Sequence, residues 1–172
     1  MTPPPVIFLG MSGVGKTTIA MSVAKKMNRT FIDTDESIAS DYDQPLYMIL
    51  DTMGTDAFIE LEAKYVEKYA KPNHILAPGG SVIYGTATLE RMAKGSVFIY
   101  LYDEPGHILD RITNLETRGI IGMEKKSFHD IWAERHTLYA QHANVQFNIH
   151  HHGFDKTVDH IVSFLSFLSP ND

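Results

Sequence analysis

Four consecutive apolar residues, Val6-Ile7-Phe8-Leu9, stand near the head of the chain and stop at Gly10. A run without alternation marks a strand covered on both faces, as in a parallel sheet, rather than one with a wet side. Past a glycine-rich stretch, Ala20, Val23, Ala24 and Met27 recur at i, i+3, i+4 and i+7, so Thr17 to Met27 is predicted to be a helix with one packing face. Further apolar strands are predicted at Thr30 to Asp33, His74 to Ala77, Val97 to Leu101 and Val145 to Ile149. Between them, Phe58, Leu61, Tyr65 and Tyr69 share one helical face, and Val158, Ile161, Val162 and Leu165 another. Strands alternating with helices predict a three-layer α/β domain built on a five-stranded parallel sheet with right-handed crossovers. Two stretches fit that core poorly. Residues 34–60 add helices after the second strand, and residues 114–126 are polar with Gly119 and Gly122. A substrate-binding insertion and a lid are expected there, within a single domain spanning 1–172.

Composition removes whole classes of function. The 172 residues are 44% hydrophobic and 21% charged, as expected of one packed domain. With 15 Lys and Arg against 21 Asp and Glu the net charge is −6, which argues against broad binding to nucleic acid or an anionic membrane. There is no cysteine, so disulfides, thiolate catalysis and Cys-ligated metal centres are excluded. Met1-Thr2-Pro3-Pro4-Pro5 lacks the basic and apolar regions of a secretory signal, and no stretch approaches the ~20 apolar residues of a membrane span. A cytoplasmic protein acting on a small molecule is expected.

The chemistry begins where the first strand ends. Gly10-Met11-Ser12-Gly13-Val14-Gly15-Lys16-Thr17 satisfies G-x-x-x-x-G-K-[ST] between a predicted buried strand and a predicted helix, the context that the phosphate-binding loop requires. Such a loop turns successive backbone N–H groups toward a phosphate, and its glycines adopt angles that a side chain disfavours. The helix that follows presents its positive end to the anion. Lys16 is placed to reach the β- and γ-phosphates of ATP, and the Thr17 hydroxyl to ligate Mg²⁺. GTPase switch and base-reading motifs are not apparent, which leaves a small-molecule kinase as the leading class. Asp33 and Asp35 follow the second strand, where ligands of open α/β sheets bind. Alternation would aim one toward the metal's water shell and the other toward an acceptor hydroxyl, although the same pair also fits a helix N-cap.

Taken in order, the Gly-x-x-Gly-x-Gly-Lys-Thr-Thr loop ending at Thr18, Phe31-Ile32-Asp33-Thr34-Asp35 and Phe58-Ile59-Glu60-Leu61-Glu62 form the first half of a pattern. Ala77-Pro78-Gly79-Gly80-Ser81, Arg118-Gly119-Ile120-Ile121 and Ala133-Glu134-Arg135-His136-Thr137-Leu138-Tyr139 complete it. This series, from Val6 to about Leu165, closely resembles the shikimate kinases. The resemblance implies strand order 2-3-1-4-5, a monomer, and transfer of a γ-phosphoryl group from ATP to a ring hydroxyl. It implies that Gly10, Ser12, Gly13, Val14, Gly15, Lys16, Thr17 and Thr18 hold the nucleotide, with Arg111 along the adenine. By the same resemblance Asp33 helps to place Mg²⁺ with Thr17, Asp35 binds the accepting hydroxyls and serves as base, and Gly79 and Gly80 line the substrate region. Arg118 would close on the transferring phosphate, and Arg135 would pair with a substrate carboxylate.

The sequence departs from that family at informative places. Where the family has Phe-Arg-x-x-Glu, this chain has Ile59, so Glu62 is expected to lose its basic partner and the pocket to hold Asp35 and Glu62 against Arg135 alone. A lost charge-assisted hydrogen bond of ~1.5–3 kcal/mol would weaken a carboxylate substrate roughly 10- to 150-fold, a balance better suited to a neutral polyol or a cationic group; a family member acting on another polyol, a cyclitol or a gluconate-type sugar acid is the alternative. Ser81 replaces a third glycine and is expected to cost ~1–2 kcal/mol if a left-handed conformation is needed there. Gly119 stands where proline is usual and is expected to loosen the lid hinge. A non-catalytic nucleotide-binding module is the reading from another class, but Lys16, Thr17 and Asp33 are all retained. His150-His151-His152 is expected to form a polar strand-to-helix connection near the adenine, since neighbours on a strand point to alternate faces and rarely share one ion. Phe154 is a candidate to pack on the base, and Trp132 is expected in the core of the helix carrying Arg135.

Overall fold

Strand β1 (Val6–Leu9) is buried along its entire length, which explains the absence of a polar position in it. In the computed structural model, which describes residues 2–113 and 119–168, β1 is the middle strand of a five-stranded parallel sheet of order β2-β3-β1-β4-β5. The others are β2 (Thr30–Asp33), β3 (His74–Ala77), β4 (Val97–Tyr102) and β5 (Val145–Asn148). Val6 pairs with Ile75 on one side and Val97 on the other, so the chain leaves β1 at Gly10 between the ends of two covered neighbours. This is the expected three-layer fold and the expected strand order.

Helix α1 (Lys16–Met27) buries Ile19, Ala20, Val23 and Ala24, the face read from the sequence. It packs against β3 and the last helix, α9 (Phe154–Leu168), whose Val158, Ile161 and Leu165 are buried. After β2 come α2 (Thr34–Tyr42), α3 (Leu46–Met53) and α4 (Thr55–Tyr69), the last running straight through residue 60. Ile38, Ile49, Phe58 and Tyr65 give these three helices a small core of their own, and Ile121 docks on it. After β3, a 3-10 turn (Gly80–Tyr84) leads to α5 (Thr86–Met92); α6 (Pro105–Arg111) follows β4, and α7 (Phe128–His142) precedes β5.

Two local expectations need correction. The fifth strand ends at Asn148 rather than Ile149, because the Asn148 side chain accepts hydrogen bonds from the N–H groups of His150 and His151 and starts a helical turn, α8 (Ile149–His152). The histidine triplet is thus an exposed helical turn that connects β5 to α9. Asp35 likewise lies in the first turn of α2, since Asp33 caps that helix and ends the strand alternation that was to aim the two acids.

Candidate active site

The loop from Gly10 to Gly15 folds as its composition requires. Gly10, Gly13 and Gly15 have φ of 147°, 85° and 102°, and a side chain on Gly10 would reach within 2.4 Å of the Leu101 carbonyl oxygen. Lys16 opens α1 and turns its ammonium back onto the loop, donating to the carbonyls of Gly10 at 2.8 Å and Met11 at 3.0 Å. Burial pushes its pKa down to about 8, against the pull of Asp35 and Asp33. Thr17 donates its hydroxyl to Asp33 Oδ2 at 2.9 Å, while Asp33 Oδ1 accepts from the N–H groups of Asp35 and Glu36. The two readings of Asp33, helix cap and metal-side acid, therefore hold together, one oxygen each.

Two cavities meet at this loop. One of about 310 Å³ is bounded by Ser12, Gly13, Gly15 to Thr18, Asp33, Asp35 and Arg111. It adjoins one of about 420 Å³ reached by Val14, Arg111, His150 and Phe154, so the expected adenine residues Arg111 and Phe154 do face common space. Arg111 is fixed by an acceptor that the sequence reading missed. Its Nη2 donates at 2.5 Å to Asp103 Oδ2, and Asp103, at the end of β4, is fully buried. His107 Nδ1 and the Glu104 N–H also contact Asp103 Oδ1. The signal was present as an acid at a strand end with partners at i+4 and i+8 on the next helix. Ligand atoms of Asp103, His107 and His150 lie within 4.8 Å of one another, but the carboxylate is already bonded and the two imidazoles stack face to face at 4.2 Å, which does not converge on an ion. Trp132 is half-buried against the core as expected, with its indole N–H on the Asp103 carbonyl.

On the other side of Asp35 a tight pocket of about 40 Å³ is bounded by Asp35, Glu62, Gly79 to Ser81 and Arg135 on its polar side. Leu46, Phe58 and Gly119 to Ile121 close the apolar side. As it stands that space suits a few waters, each needing at least ~10–15 Å³, so a ring can seat there only if the apolar side opens. Gly79 brings the acids together: a Cβ there would meet Glu62 Oε1 at 2.3 Å and Asp35 Oδ1 at 2.8 Å. Asp35 Oδ1 is buried with no hydrogen-bond partner among the described residues. Burial, reinforced by Asp33, lifts Asp35 to about 6; burial and then Asp35 lift Glu62 to about 8.

Here two expectations are overturned. Glu62 is not left unpaired by Ile59, because Ser81 donates its hydroxyl to Glu62 Oε2 at 2.5 Å. Nor does Ser81 pay a left-handed penalty: it lies in the 3-10 turn and is absent from the positive-φ residues. Ile59 itself is only half-buried. Arg135 is 1% exposed, stacked over Tyr84 at 5.1 Å and donating to Tyr84 Oη and the Ile121 carbonyl. Tyr139 donates at 2.6 Å to the Gly80 carbonyl and fixes that peptide, a role the motif around Arg135 did not disclose. Gly119 has φ of 60°, so its glycine serves a left-handed turn against Tyr47. Arg118 and the first five residues of the expected lid, 114–118, lie outside the described residues.

A buried loop ending in Lys16-Thr17, a 2-3-1-4-5 sheet and an acid-lined pocket sharing Asp35 with the phosphate cavity define a P-loop phosphotransferase for small acceptors. A family model described as shikimate kinase matches residues 12–166, and the chain belongs to the shikimate kinase family. The shikimate kinase of Caldicellulosiruptor saccharolyticus is 31% identical over 117 residues, 67% of this chain and 68% of that one. That of Oceanobacillus iheyensis is 28% identical over 163 residues, 93% and 88% of the two chains. The solved shikimate kinase from Acinetobacter baumannii, in complex with shikimate, shares the fold with a TM-score of 0.84 at 20% identity, covering 99% of this chain and 97% of that one. The chain is an ATP-dependent kinase.

Proposed function

We propose that this kinase transfers the γ-phosphoryl group of Mg-ATP to a ring hydroxyl of shikimate, as a single-domain, monomeric, cytoplasmic enzyme. One observation carries the reading: Asp35 lines both the phosphate cavity and the acid-walled pocket, so an acceptor hydroxyl held on it lies next to the loop that holds the phosphates. Phosphoryl transfer is chiefly positioning plus charge stabilisation, and these residues divide that work. Asp35 orients the hydroxyl and takes its proton, for which a pKa lifted to about 6 is apt. Lys16 leaves the loop carbonyls for the phosphate oxygens, and Arg118 closes on them. Thr17 and Asp33 offer hard oxygen donors 2.9 Å apart, a set suited to Mg²⁺. When bound, the ion offsets charge on the β- and γ-oxygens. Arg135, held by Tyr84 at the pocket wall, receives the substrate carboxylate.

A second acceptor class, another polyol such as a cyclitol, with sugar acids in the same panel, is suggested by one specific feature, an isoleucine at 59 where the family has an arginine, three residues before the buried Glu62. ADP release at saturating Mg-ATP, with shikimate varied from micromolar to tens of millimolar beside such a panel, separates the two. Saturation by shikimate is expected. Release driven only by a panel compound, with ATP still bound, would overturn the choice of acceptor.

A further inference from the structure

Glu62 is an unusual group to find 2% exposed: a carboxyl on α4 whose hydrogen bond, among the described residues, is to a neutral hydroxyl. Burying an acid costs several kcal/mol unless a partner compensates, and the common partner is a cation. Among the described residues, no cation bonds it. The residue one turn before it is Ile59, and Arg135 directs Nε to Tyr84 Oη and Nη2 to the Ile121 carbonyl. Lys16 is spent on the loop. Ser81 is itself only 6% exposed and reaches across from the 3-10 turn after β3. The carboxyl it grips has its other oxygen against the Gly79 backbone, beside the unpartnered Asp35 Oδ1. Rotation of Glu62 would thus move one wall of the acceptor pocket.

We propose that Ser81 is a positioning residue of this kinase: its hydroxyl does for Glu62 what a cation would otherwise do, and so holds the carboxyl wall against which the acceptor ring seats. The inference rests on the kinase reading above and adds to it which residue shapes the acceptor site. It also explains how a chain with isoleucine at 59 keeps a buried acid at 62. The groups facing Glu62 are Asp35 from α2, Ser81 from the 3-10 turn, Arg135 and Tyr139 from α7, and Lys16 from α1. Of these, Ser81 alone supplies a short bond to its carboxylate. Because the wall is held by a hydroxyl rather than paired with a guanidinium, it discriminates by shape and hydrogen bonding more than by attraction of negative charge.

The test has two arms, both on the full chain. In the kinetic arm, Ser81→Ala is expected to raise the KM for the acceptor tenfold or more while kcat and the KM for ATP stay within twofold. Ser81→Thr, which keeps the hydroxyl, is expected to behave as wild type. Adding Ile59→Arg to Ser81→Ala puts a guanidinium at i−3 from Glu62 and is expected to recover most of the lost affinity. An unchanged acceptor KM in Ser81→Ala, with only a lower melting temperature, would overturn the proposal. In the second arm, urea unfolding of wild type, Ser81→Ala, Glu62→Gln and the double variant closes a cycle that needs no acceptor. Ser81→Ala is expected to lower the folding equilibrium constant at least tenfold more with Glu62 in place than in the Glu62→Gln background; equal effects would overturn it. If wild type showed no shikimate turnover, the acceptor assignment would fall, and the cycle would still decide the Ser81–Glu62 claim. Should Ser81→Ala fail to fold, Ser81→Cys, a weaker donor of similar size, takes its place in both arms.

Discussion

Gly79→Ala isolates the acceptor wall, because the backbone there, φ −57° and ψ 157°, is open to alanine and only the added methyl matters. That methyl would stand 2.3 Å from Glu62 Oε1 and 2.8 Å from Asp35 Oδ1, against ordinary contact at about 3.5 Å. Glu62 must therefore retreat by roughly 1 Å, further than its 2.5 Å bond to Ser81 tolerates. A buried hydrogen-bonding group left without its partner costs about 1–3 kcal/mol, or roughly 5- to 150-fold in acceptor KM. Overpacking adds a stability loss of about 1–3 kcal/mol. The assay is ADP release with acceptor varied at saturating Mg-ATP, then ATP varied at saturating acceptor, with melting recorded in parallel. The expected result is a raised acceptor KM with the ATP KM within twofold. An acceptor KM within twofold of wild type in a folded Gly79→Ala enzyme would refute the placement of these acids in the acceptor site.

Other outcomes follow from the same geometry. Lys16→Met removes a buried donor aimed at the phosphates and is expected to lower kcat about 10²- to 10³-fold, read in single-turnover assays. Asp33→Ala loses the cap of α2 and the Thr17 contact together; a stability loss of about 1 kcal/mol in urea should accompany a raised Mg²⁺ requirement. Glu62 is lifted from its ordinary 4.5 to about 8, so the folded protein holds a proton that the unfolded chain has lost across that window. Its contribution to stability is present below pH 4.5 and falls as pH rises toward 8, and the difference between wild type and Glu62→Gln in urea titrations should shift accordingly. Arg135→Lys cannot keep the planar stack on Tyr84 and is expected to weaken a carboxylate acceptor more than a neutral one, measured as the ratio of their kcat/KM values.

The parts of this molecule legible in its sequence are those set by local pattern. Val6 to Leu9 is a buried strand because nothing polar interrupts it, and the loop glycines announce their angles through their spacing. Strand order came through likeness to a family, since no local signal says that β1 lies between β3 and β4. What was not legible depends on contacts across the chain or on caps. Ser81 looked like a strained replacement of glycine, and only the packing of α4 against the 3-10 turn shows its hydroxyl on Glu62, 19 residues away in sequence. Asp33 and Asp35 looked like neighbours on a strand until the cap on Asp35 N–H turned the second into a helix. Asn148 did the same at the histidine triplet. Asp103 was overlooked because its partners Arg111 and His107 gain meaning only once β4 and α6 meet at the nucleotide cavity.

The most direct test of the central claim is phosphorus NMR of wild-type enzyme incubated with Mg-ATP and shikimate. The account predicts ADP together with a new phosphomonoester resonance coupled to a proton of the shikimate ring. ADP with inorganic phosphate alone, from an enzyme that binds ATP, would contradict the assignment of shikimate as the acceptor.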